Sequence, residues 1–279
     1  MRITCWGSRG SIPVSGAEYL TYGGDTTCME SRTQSDDSIM VDAGTGIRRL
    51  GNQLMAEKRQ EVHFLFTHAH WDHLMGFPFF KPLYSAQSRF WMYRCPFGDQ
   101  FVENMLTRVM SPPHFPVNYA DIQARISYAD ACPTDFRIGS VSIVPIRLNH
   151  PNSGSGYKFI ENGRTFVFLT DNELNYTHPL GLSREHYLDF CHKADLLIHD
   201  AEYTPEEYAD TTGWGHSTWV DVLDLSIAAG VRRLGLFHIN QERTDEQMNH
   251  ILGLAHTAIA QRNAALECVA VGANTVFEV

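Results

Sequence analysis

Four residues that could bind metal ions lie within six positions, in the run from His68 to His73 that reads H-A-H-W-D-H. Imidazole nitrogens and carboxylate oxygens are good ligands for zinc and similar divalent ions. Because side chains alternate in direction along an extended turn, His68 and His70 could hold one ion. Asp72 and His73 could then reach another. The pattern is more specific than an isolated H-x-H and favours metal binding over a chance cluster.

Two metal sites need more ligands than this run supplies. Three residues elsewhere directly follow predicted apolar strands, and each is a His or an Asp: His150, Asp171 and His238. A single residue of this kind is more often a hydrogen-bonded turn residue. The repetition of the arrangement at three strand ends favours a role for all three as metal ligands.

The elements that must position these residues can be predicted from hydrophobic periodicity and turn signals. An apolar strand at 62–66 leads the chain to His68. The other predicted strands are 3–6, 26–31, 38–41, 141–148, 157–160, 165–169, 195–198, 233–237, 267–271 and 275–279, and the predicted helices are 46–58, 184–192, 218–229 and 245–260. Ser217 or Thr218 is a good N-cap for the third helix. Strands that come first in meanders and then alternate with helices predict two packed sheets with helices outside, a four-layer α/β arrangement.

Length and composition are compatible with one large domain over 1–279, since 43% of the 279 residues are hydrophobic. The least regular segment, 81–120, is rich in Pro and aromatic residues. It is interpreted as an insertion that either packs against the core or forms a lid or substrate wall. No stretch approaches the roughly 18 apolar residues of a spanning helix, and the N-terminus does not resemble a signal peptide, so we expect a cytoplasmic protein.

Charge and cysteine content exclude other classes. A formal net charge of -10 opposes the sequence-independent attraction to phosphate backbones on which nucleic-acid binders rely. The six cysteines are widely spaced without a C-x-x-C pair, which indicates reduced thiols rather than disulfides or a thiolate zinc site. No G-x-S-x-G, P-loop or catalytic-cysteine signature competes with the metal ligands.

From residue 3 to residue 238, the order of these strand-end motifs resembles the metallo-β-lactamase superfamily. The resemblance implies a four-layer αββα sandwich of two mixed sheets and two divalent ions, with zinc the first choice and manganese or iron also compatible. It implies that His68, His70 and His150 hold the first ion. It also implies that Asp72, His73 and His238 hold the second ion and that Asp171 bridges both. Asp42 matches the aspartate that orients a ligand imidazole, although turn formation alone would also explain it.

Two further motifs resemble the phosphodiesterase branch of that superfamily, which contains the tRNA 3′-processing ribonucleases and the cyclic-phosphodiester hydrolases. They are the early glycine loop at 7–13 together with 26–28, and Gly215-His216-Ser217-Thr218. The resemblance implies that His216 acts as a phosphate clamp or proton donor and that Asp200 orients it, where the ribonucleases usually carry Glu. A histidine that only caps a helix is the simpler interpretation of His216. Together with Asp72, these two residues form the expected catalytic set.

The sequence therefore favours a dinuclear hydrolase in which a metal-activated hydroxide attacks a small anionic phosphodiester such as a cyclic nucleotide. Because the charge is acidic and no long Gly-, Pro- and Lys-rich arm is found, tRNA is a less favoured substrate. The alternatives are a tRNA 3′-processing endoribonuclease, a thioester or lactone hydrolase, a mononuclear iron dioxygenase of sulfur compounds, and a metal-binding sensor without turnover. A homodimer is compatible with the sequence but not specified by it.

Overall fold

The computed structural model of the chain describes residues 1–93, 102–129 and 135–279. Within them the strands form two sheets of seven. The strands of the first sheet are β1 (Arg2–Gly7), β2 (Cys28–Arg32), β3 (Ser38–Val41), β4 (Glu61–Leu65), β5 (Arg89–Met92), β6 (Arg125–Tyr128) and β14 (Val276–Glu278). Those of the second are β7 (Phe136–Ile138), β8 (Val141–Arg147), β9 (Ser155–Glu161), β10 (Arg164–Leu169), β11 (Leu196–Asp200), β12 (Arg233–Phe237) and β13 (Glu267–Ala270).

Each sheet is half antiparallel and half parallel. The order of the first sheet is β14-β1-β2-β3-β4-β5-β6, and its pairs become parallel from β3 onward. The order of the second is β13-β12-β11-β10-β9-β8-β7, and its parallel pairs run from β10 to β13. Because parallel strands end at the same edge, residues that follow them are brought together there.

Helices cover the outer face of each sheet. The helices are α1 (Ile47–Ala56), α2 (Trp71–Leu74), α3 (Val102–Val109), α4 (Arg184–Phe190), α5 (Pro205–Thr211), α6 (Trp219–Ala229) and α7 (Asp245–Gln261). One apolar cluster joins α1 and α3 to the first sheet, and another joins α4, α6 and α7 to the second. A third cluster, which includes Phe159, Phe166 and Phe168, fills the space between the sheets. The four-layer α/β arrangement predicted from the sequence is thereby confirmed.

The predicted elements differ from the observed ones mainly between residues 81 and 140. Strands β5, β6 and β7 and helix α3 were not predicted, and neither was α5 further along. Helix α2 was not predicted either, since the run from His68 to His73 was interpreted as an extended turn and residues 71–74 form one helical turn. The strands have only three or four residues, and β6 alternates exposed with half-buried residues, so the apolar periodicity is weak. Phe90 of β5 is buried, and Phe115 and Tyr119 pack against the same cluster. These three aromatic residues of the 81–120 segment therefore contribute to packing.

Two smaller expectations can be compared with the structure. Thr218 is the N-cap of α6, and its side chain accepts a hydrogen bond from the backbone N–H of Asp221. Cys5, Cys28, Cys191 and Cys268 are buried free thiols, whereas Cys95 and Cys132 lie outside the described residues. Within the described ranges, no helix is long and apolar enough to cross a bilayer.

Candidate metal centre

The candidate ligands follow the carboxyl ends of strands in both sheets. Asp72 and His73 lie in the short helix α2, and the others lie in loops. Asp42 follows β3, Asp171 follows β10 and His238 follows β12, and all three have positive φ, at 64°, 55° and 56°. Residues other than glycine rarely adopt this conformation, which costs of order 1–3 kcal/mol and is concentrated at functional sites. The sharp turn at each strand end directs a polar side chain toward the space between the two sheet edges.

The first ligand group comprises His68, His70, His150 and Asp171, whose potential ligand atoms all lie within 4.8 Å of one another. His68 Nε2 lies 3.4 Å from Asp171 Oδ2, and His70 Nδ1 lies 3.2 Å from His150 Nε2. His70 is half-buried, and the other three residues are buried.

The second ligand group comprises Asp72, His73, Asp171 and His238, and its ligand atoms meet the same 4.8 Å limit. All four residues are buried. The Nε2 atoms of His73 and His238 each lie 3.2 Å from Asp72 Oδ2 and 3.4 Å from Asp171 Oδ1. The structure thus brings all seven predicted ligands together, in two groups that share Asp171.

Two observations fit these groups to divalent ions. His68 Nε2 and His73 Nε2 are fully buried and have no hydrogen-bond partner in the described structure. A buried polar atom without a partner is costly, and a bound cation is one of the accepted explanations for it. The donor set of five imidazoles and two carboxylates is also the nitrogen and oxygen chemistry that zinc, manganese and iron accept.

Carboxylates lie directly behind the histidines of the second ligand group. His73 Nδ1 donates to Asp42 Oδ2 at 2.7 Å, and Asp42 also accepts two hydrogen bonds from Thr67. His238 Nδ1 donates to Glu202 Oε2 at 2.8 Å. Each contact fixes the tautomer that leaves Nε2 free for an ion and makes that nitrogen more basic.

Two of the three histidines of the first ligand group, His68 and His150, have neutral partners behind the ring. His150 Nδ1 donates to the carbonyl oxygen of Gly215 at 3.1 Å. His68 Nδ1 lies 3.1 Å from Thr67 Oγ1, which already donates to Asp42, so His68 is the donor in this contact. These contacts also direct Nε2 toward the site, but without a negative charge behind the ring.

The pKa values of the histidines also differ between the two groups. Burial lowers the pKa of His68 well below its usual value and lowers the pKa of His150 to about 3. Burial also acts on His73 and His238, but the surrounding carboxylates outweigh it and raise their pKa values well above the usual one. The first ligand group therefore presents neutral imidazoles, the form that binds metal ions.

His216 lies beside both ligand groups, with its ring centroid 5.3 Å from that of His150 and 4.7 Å from that of His238. His216 Nδ1 donates to Asp200 Oδ2 at 2.8 Å and lies 3.5 Å from Glu202 Oε2. Burial lowers the pKa of His216, but the charges of Glu202 and Asp200 outweigh burial and raise it to about 9. His216 therefore belongs to a buried carboxylate–imidazole pair at the candidate centre.

The early glycine loop packs against the second ligand group. The backbone N–H of Ser11 donates to Asp72 Oδ2 at 3.0 Å. A Cβ atom at Gly10 would collide with the His238 ring, so only glycine allows this close approach. Arg9 is fully buried and donates to the carbonyl oxygens of Gly23, Asn240 and Arg243.

Sequence reasoning did not assign roles to three residues of the centre: Thr67, Glu173 and Glu202. Thr67 and Glu202 contact ligand histidines or the residues behind them, as described above. The sequence signal for Glu202 was its position two residues after Asp200, at the same strand end. Glu173 follows Asp171 by two residues in the same way. Proximity to a predicted ligand was therefore the available signal, but it does not reveal which way a side chain points.

A cavity of about 320 Å³ adjoins the turn that carries the first four predicted ligands. Its lining residues are Ala69, Trp71, Leu74, Met105, Arg108, Val109 and His114. Trp71 lies between two candidate ligands in the sequence and is 68% exposed. Within the described residues, no carboxylate forms an ion pair with Arg108. The cavity is mainly apolar, with the Arg108 guanidinium and the His114 imidazole at its wall.

Known proteins match this chain over most or all of its length. The family model described as "Beta-lactamase superfamily domain" matches residues 37–239. Ribonuclease Z of Thermococcus kodakarensis is 25% identical over 245 residues, which cover 72% of this chain and 74% of that protein. Among solved structures, the metallo-β-lactamase fold protein YhfI from Bacillus subtilis has a TM-score of 0.69 at 17% identity, covering 100% of this chain and 99% of the other. A diphosphatase of the PhnP family has a TM-score of 0.67 at 16% identity, covering 100% and 97%.

Proposed function

The chain belongs to the β-lactamase superfamily, and we propose that it is a dinuclear metal-dependent phosphodiesterase acting on a small phosphodiester such as a cyclic nucleotide. The observation that carries this proposal is the pair of ligand groups that share Asp171, with the His216–Asp200 pair beside both. The ribonuclease Z relatives agree with hydrolysis at phosphorus.

The seven ligand residues are the proposed holders of two divalent ions, with zinc the first choice and manganese or iron also compatible. Ions bound there would supply a water nucleophile that is deprotonated near neutral pH and would stabilise negative charge on the phosphoryl oxygens. Two divalent ions outweigh the charges of Asp72 and Asp171. The ions and their seven ligands would together carry positive charge in a chain of net charge -10, and this favours an anionic substrate.

The role proposed for His216 follows from its contacts. Asp200 accepts from Nδ1, so Nε2 is the ring atom that can donate a proton to the leaving oxygen or hold a phosphoryl oxygen. Asp200 also accepts from the backbone N–H groups of Asn172, Glu202 and Ser217. It is therefore held on several sides and can keep the imidazole in one orientation.

A small substrate is favoured by the charge and by the cavity beside the centre. A net charge of -10 opposes the binding of a long polyanion. The cavity of about 320 Å³ is at the lower end of the size range of small-molecule sites, about 300–1,000 Å³. The Trp71 ring offers a face on which a nucleobase or an aryl group of the substrate can stack. Arg108 offers a positive charge for an anionic group of the substrate.

A tRNA 3′-processing endoribonuclease is the second candidate. The observation that favours it is the 25% identity to ribonuclease Z, which extends over 72% of the chain. Precursor tRNA is accordingly included in the experiment below.

The test is a substrate panel with metal content measured on the same preparation. Bis(p-nitrophenyl) phosphate, a cyclic nucleotide, precursor tRNA, a thioester and a lactone are compared on wild-type protein and on His216→Ala. We expect turnover of the aryl and cyclic phosphodiesters and a decrease in kcat of about 10²- to 10⁴-fold in the variant, the usual contribution of a positioned acid or base. Metal content should not change.

His63→Ala is the control, since His63 is a half-buried histidine in the middle of β4 that contacts Tyr93 and belongs to neither ligand group. It should keep full activity. Metal-loaded protein without turnover of any phosphodiester would refute the proposal. Thioester or lactone turnover that His216→Ala leaves unchanged would replace it with carbonyl chemistry. One iron per chain together with oxygen consumption would replace it with a dioxygenase.

A further inference from the structure

Glu173 is a fully buried carboxylate to which the proposed chemistry gives no role. Within the described residues, His178 is the only basic side chain within ion-pair distance of it, at 2.9 Å. A buried carboxylate is costly unless it is paired or hydrogen-bonded. The contacts that Glu173 makes therefore indicate what it is retained for.

Both carboxylate oxygens of Glu173 accept two hydrogen bonds. Oε1 accepts from the Tyr208 hydroxyl at 2.6 Å and from the backbone N–H of Gly213 at 2.7 Å. Oε2 accepts from His178 Nε2 at 2.9 Å and from the backbone N–H of Gly215 at 2.8 Å. An ionised carboxylate has about four acceptor sites, so this side chain is fully used.

Two of these four donors belong to the loop that carries functional residues. Gly213 and Gly215 have φ of 86° and 99°, a region that glycine enters at no steric cost, so the loop has little intrinsic stiffness. The carbonyl oxygen of Gly215 accepts from His150 Nδ1, and His216 is the next residue. The position of this carbonyl oxygen thus determines the orientation of the His150 ring.

The backbone of Glu173 connects to the loop of His150 as well. Its N–H donates to the carbonyl oxygen of Asn149 at 2.9 Å, and Asn149 Nδ2 donates to its carbonyl oxygen at 2.5 Å. Glu173 therefore links the loops that carry His150, Asp171 and His216. None of the residues of the second ligand group other than the shared Asp171 lies in these loops.

We propose that Glu173 is a positioning residue that holds the Gly215 carbonyl oxygen in place and thereby orients His150 as a ligand of the first ion. The inference rests on the metal sites of the proposed function. It concerns the affinity of one ligand group and does not depend on which substrate is hydrolysed.

Two variants test it. Glu173→Gln keeps the size of the side chain but replaces one acceptor oxygen with an amide that meets donors. Glu173→Asp keeps the charge but withdraws the oxygens by one methylene. Tyr208→Phe is the matched control, since it removes one hydrogen bond from Oε1 and leaves both backbone contacts in place.

The readout is stepwise cobalt binding to metal-free protein, followed by its visible spectrum and by competition with a chelator. His150→Ala and His238→Ala identify which step belongs to which ligand group. In wild type we expect two steps. In both Glu173 variants the His150-dependent step should weaken by about 10- to 100-fold, the usual effect of losing a contact behind a ligand, while the other step stays within about twofold. Hydrogen exchange of 211–217 should become faster in the same variants and stay unchanged in Tyr208→Phe.

Several outcomes would overturn the inference: equal weakening of both steps, no weakening of either, an equal effect of Tyr208→Phe, or failure of both Glu173 variants to fold. The last would mean that Glu173 is needed for the fold as a whole. Failure of wild type to bind cobalt in two steps would instead refute the dinuclear site of the proposed function.

Discussion

The two ligand groups differ in what lies behind their histidines. In the second group, carboxylates accept from both rings, Asp42 from His73 and Glu202 from His238. In the first group, a threonine hydroxyl accepts from His68 and a peptide carbonyl oxygen accepts from His150. The second group also contains two carboxylate ligands, Asp72 and Asp171, whereas the first contains only the shared Asp171.

This difference indicates different affinities for metal ions. A carboxylate behind an imidazole makes the ligand nitrogen more basic, and a second carboxylate ligand adds negative charge. The first group is also the more exposed one, because His70 is half-buried. We therefore expect the second group to retain its ion more strongly, and the ion of the first group to exchange more readily.

The largest effect on metal binding is expected from a substitution of Asp171, the residue that belongs to both ligand groups. Asp171→Ala removes the only residue common to both and should weaken both steps of metal binding by more than the roughly 10- to 100-fold known for contacts behind a ligand. Phosphodiesterase activity should be lost. Metal content by mass spectrometry and cobalt titration measure the outcome.

Asp224→Ala serves as the control for Asp171→Ala, because Asp224 of α6 pairs with Arg262, the residue that follows α7, and belongs to neither ligand group. It should retain both ions. If Asp171→Ala weakened only one step, Asp171 would be a ligand in one group only, and the assignment of Asp171 to both groups would be wrong.

The next largest effect separates the groups. Glu202→Gln removes the charge behind His238, so the step of the second group should weaken by about 10- to 100-fold, with the first step unchanged. Glu173→Gln is expected to weaken the step of the first group instead, so the two variants test the two groups separately. Glu207→Gln is the control, since Glu207 pairs with Arg243 and contacts no ligand histidine. An equal effect of Glu202→Gln on both steps would contradict the comparison.

The position of each residue explains which parts of the fold and of the candidate metal centre could be predicted from the sequence. The strand-end ligands were predictable, because β4, β10 and β12 are largely buried strands and a His or Asp lies shortly after the end of each. Their apolar runs are long enough to be recognised, and parallel strands bring their ends together. Strands β5 to β7 were not predictable, because short runs with exposed residues carry little periodicity.

The residues behind the ligands were harder to predict for a different reason. Glu202 and Glu173 are ordinary glutamates in the sequence, and their roles depend on which backbone groups and rings they meet across loops. His238 and Gly10 meet through tertiary packing between residues far apart in sequence. Only the family resemblance pointed to Asp42 and His216, and it did not indicate the contact of Glu202 with His238.

The last expected effect concerns the unmodified protein, which should release its two ions at different chelator strengths. If contacts behind the ligands account for the asymmetry, the affinities differ by about 10- to 100-fold, or about 1.4 to 2.7 kcal/mol. Dialysis against a chelator of intermediate strength should then leave about half of the bound metal. In the cobalt form, the remaining spectrum should match that of His150→Ala, which keeps only the second group, and differ from that of His238→Ala. Simultaneous release of both ions, or a remaining spectrum that matches His238→Ala, would show that the carboxylates behind His73 and His238 do not determine the order of binding.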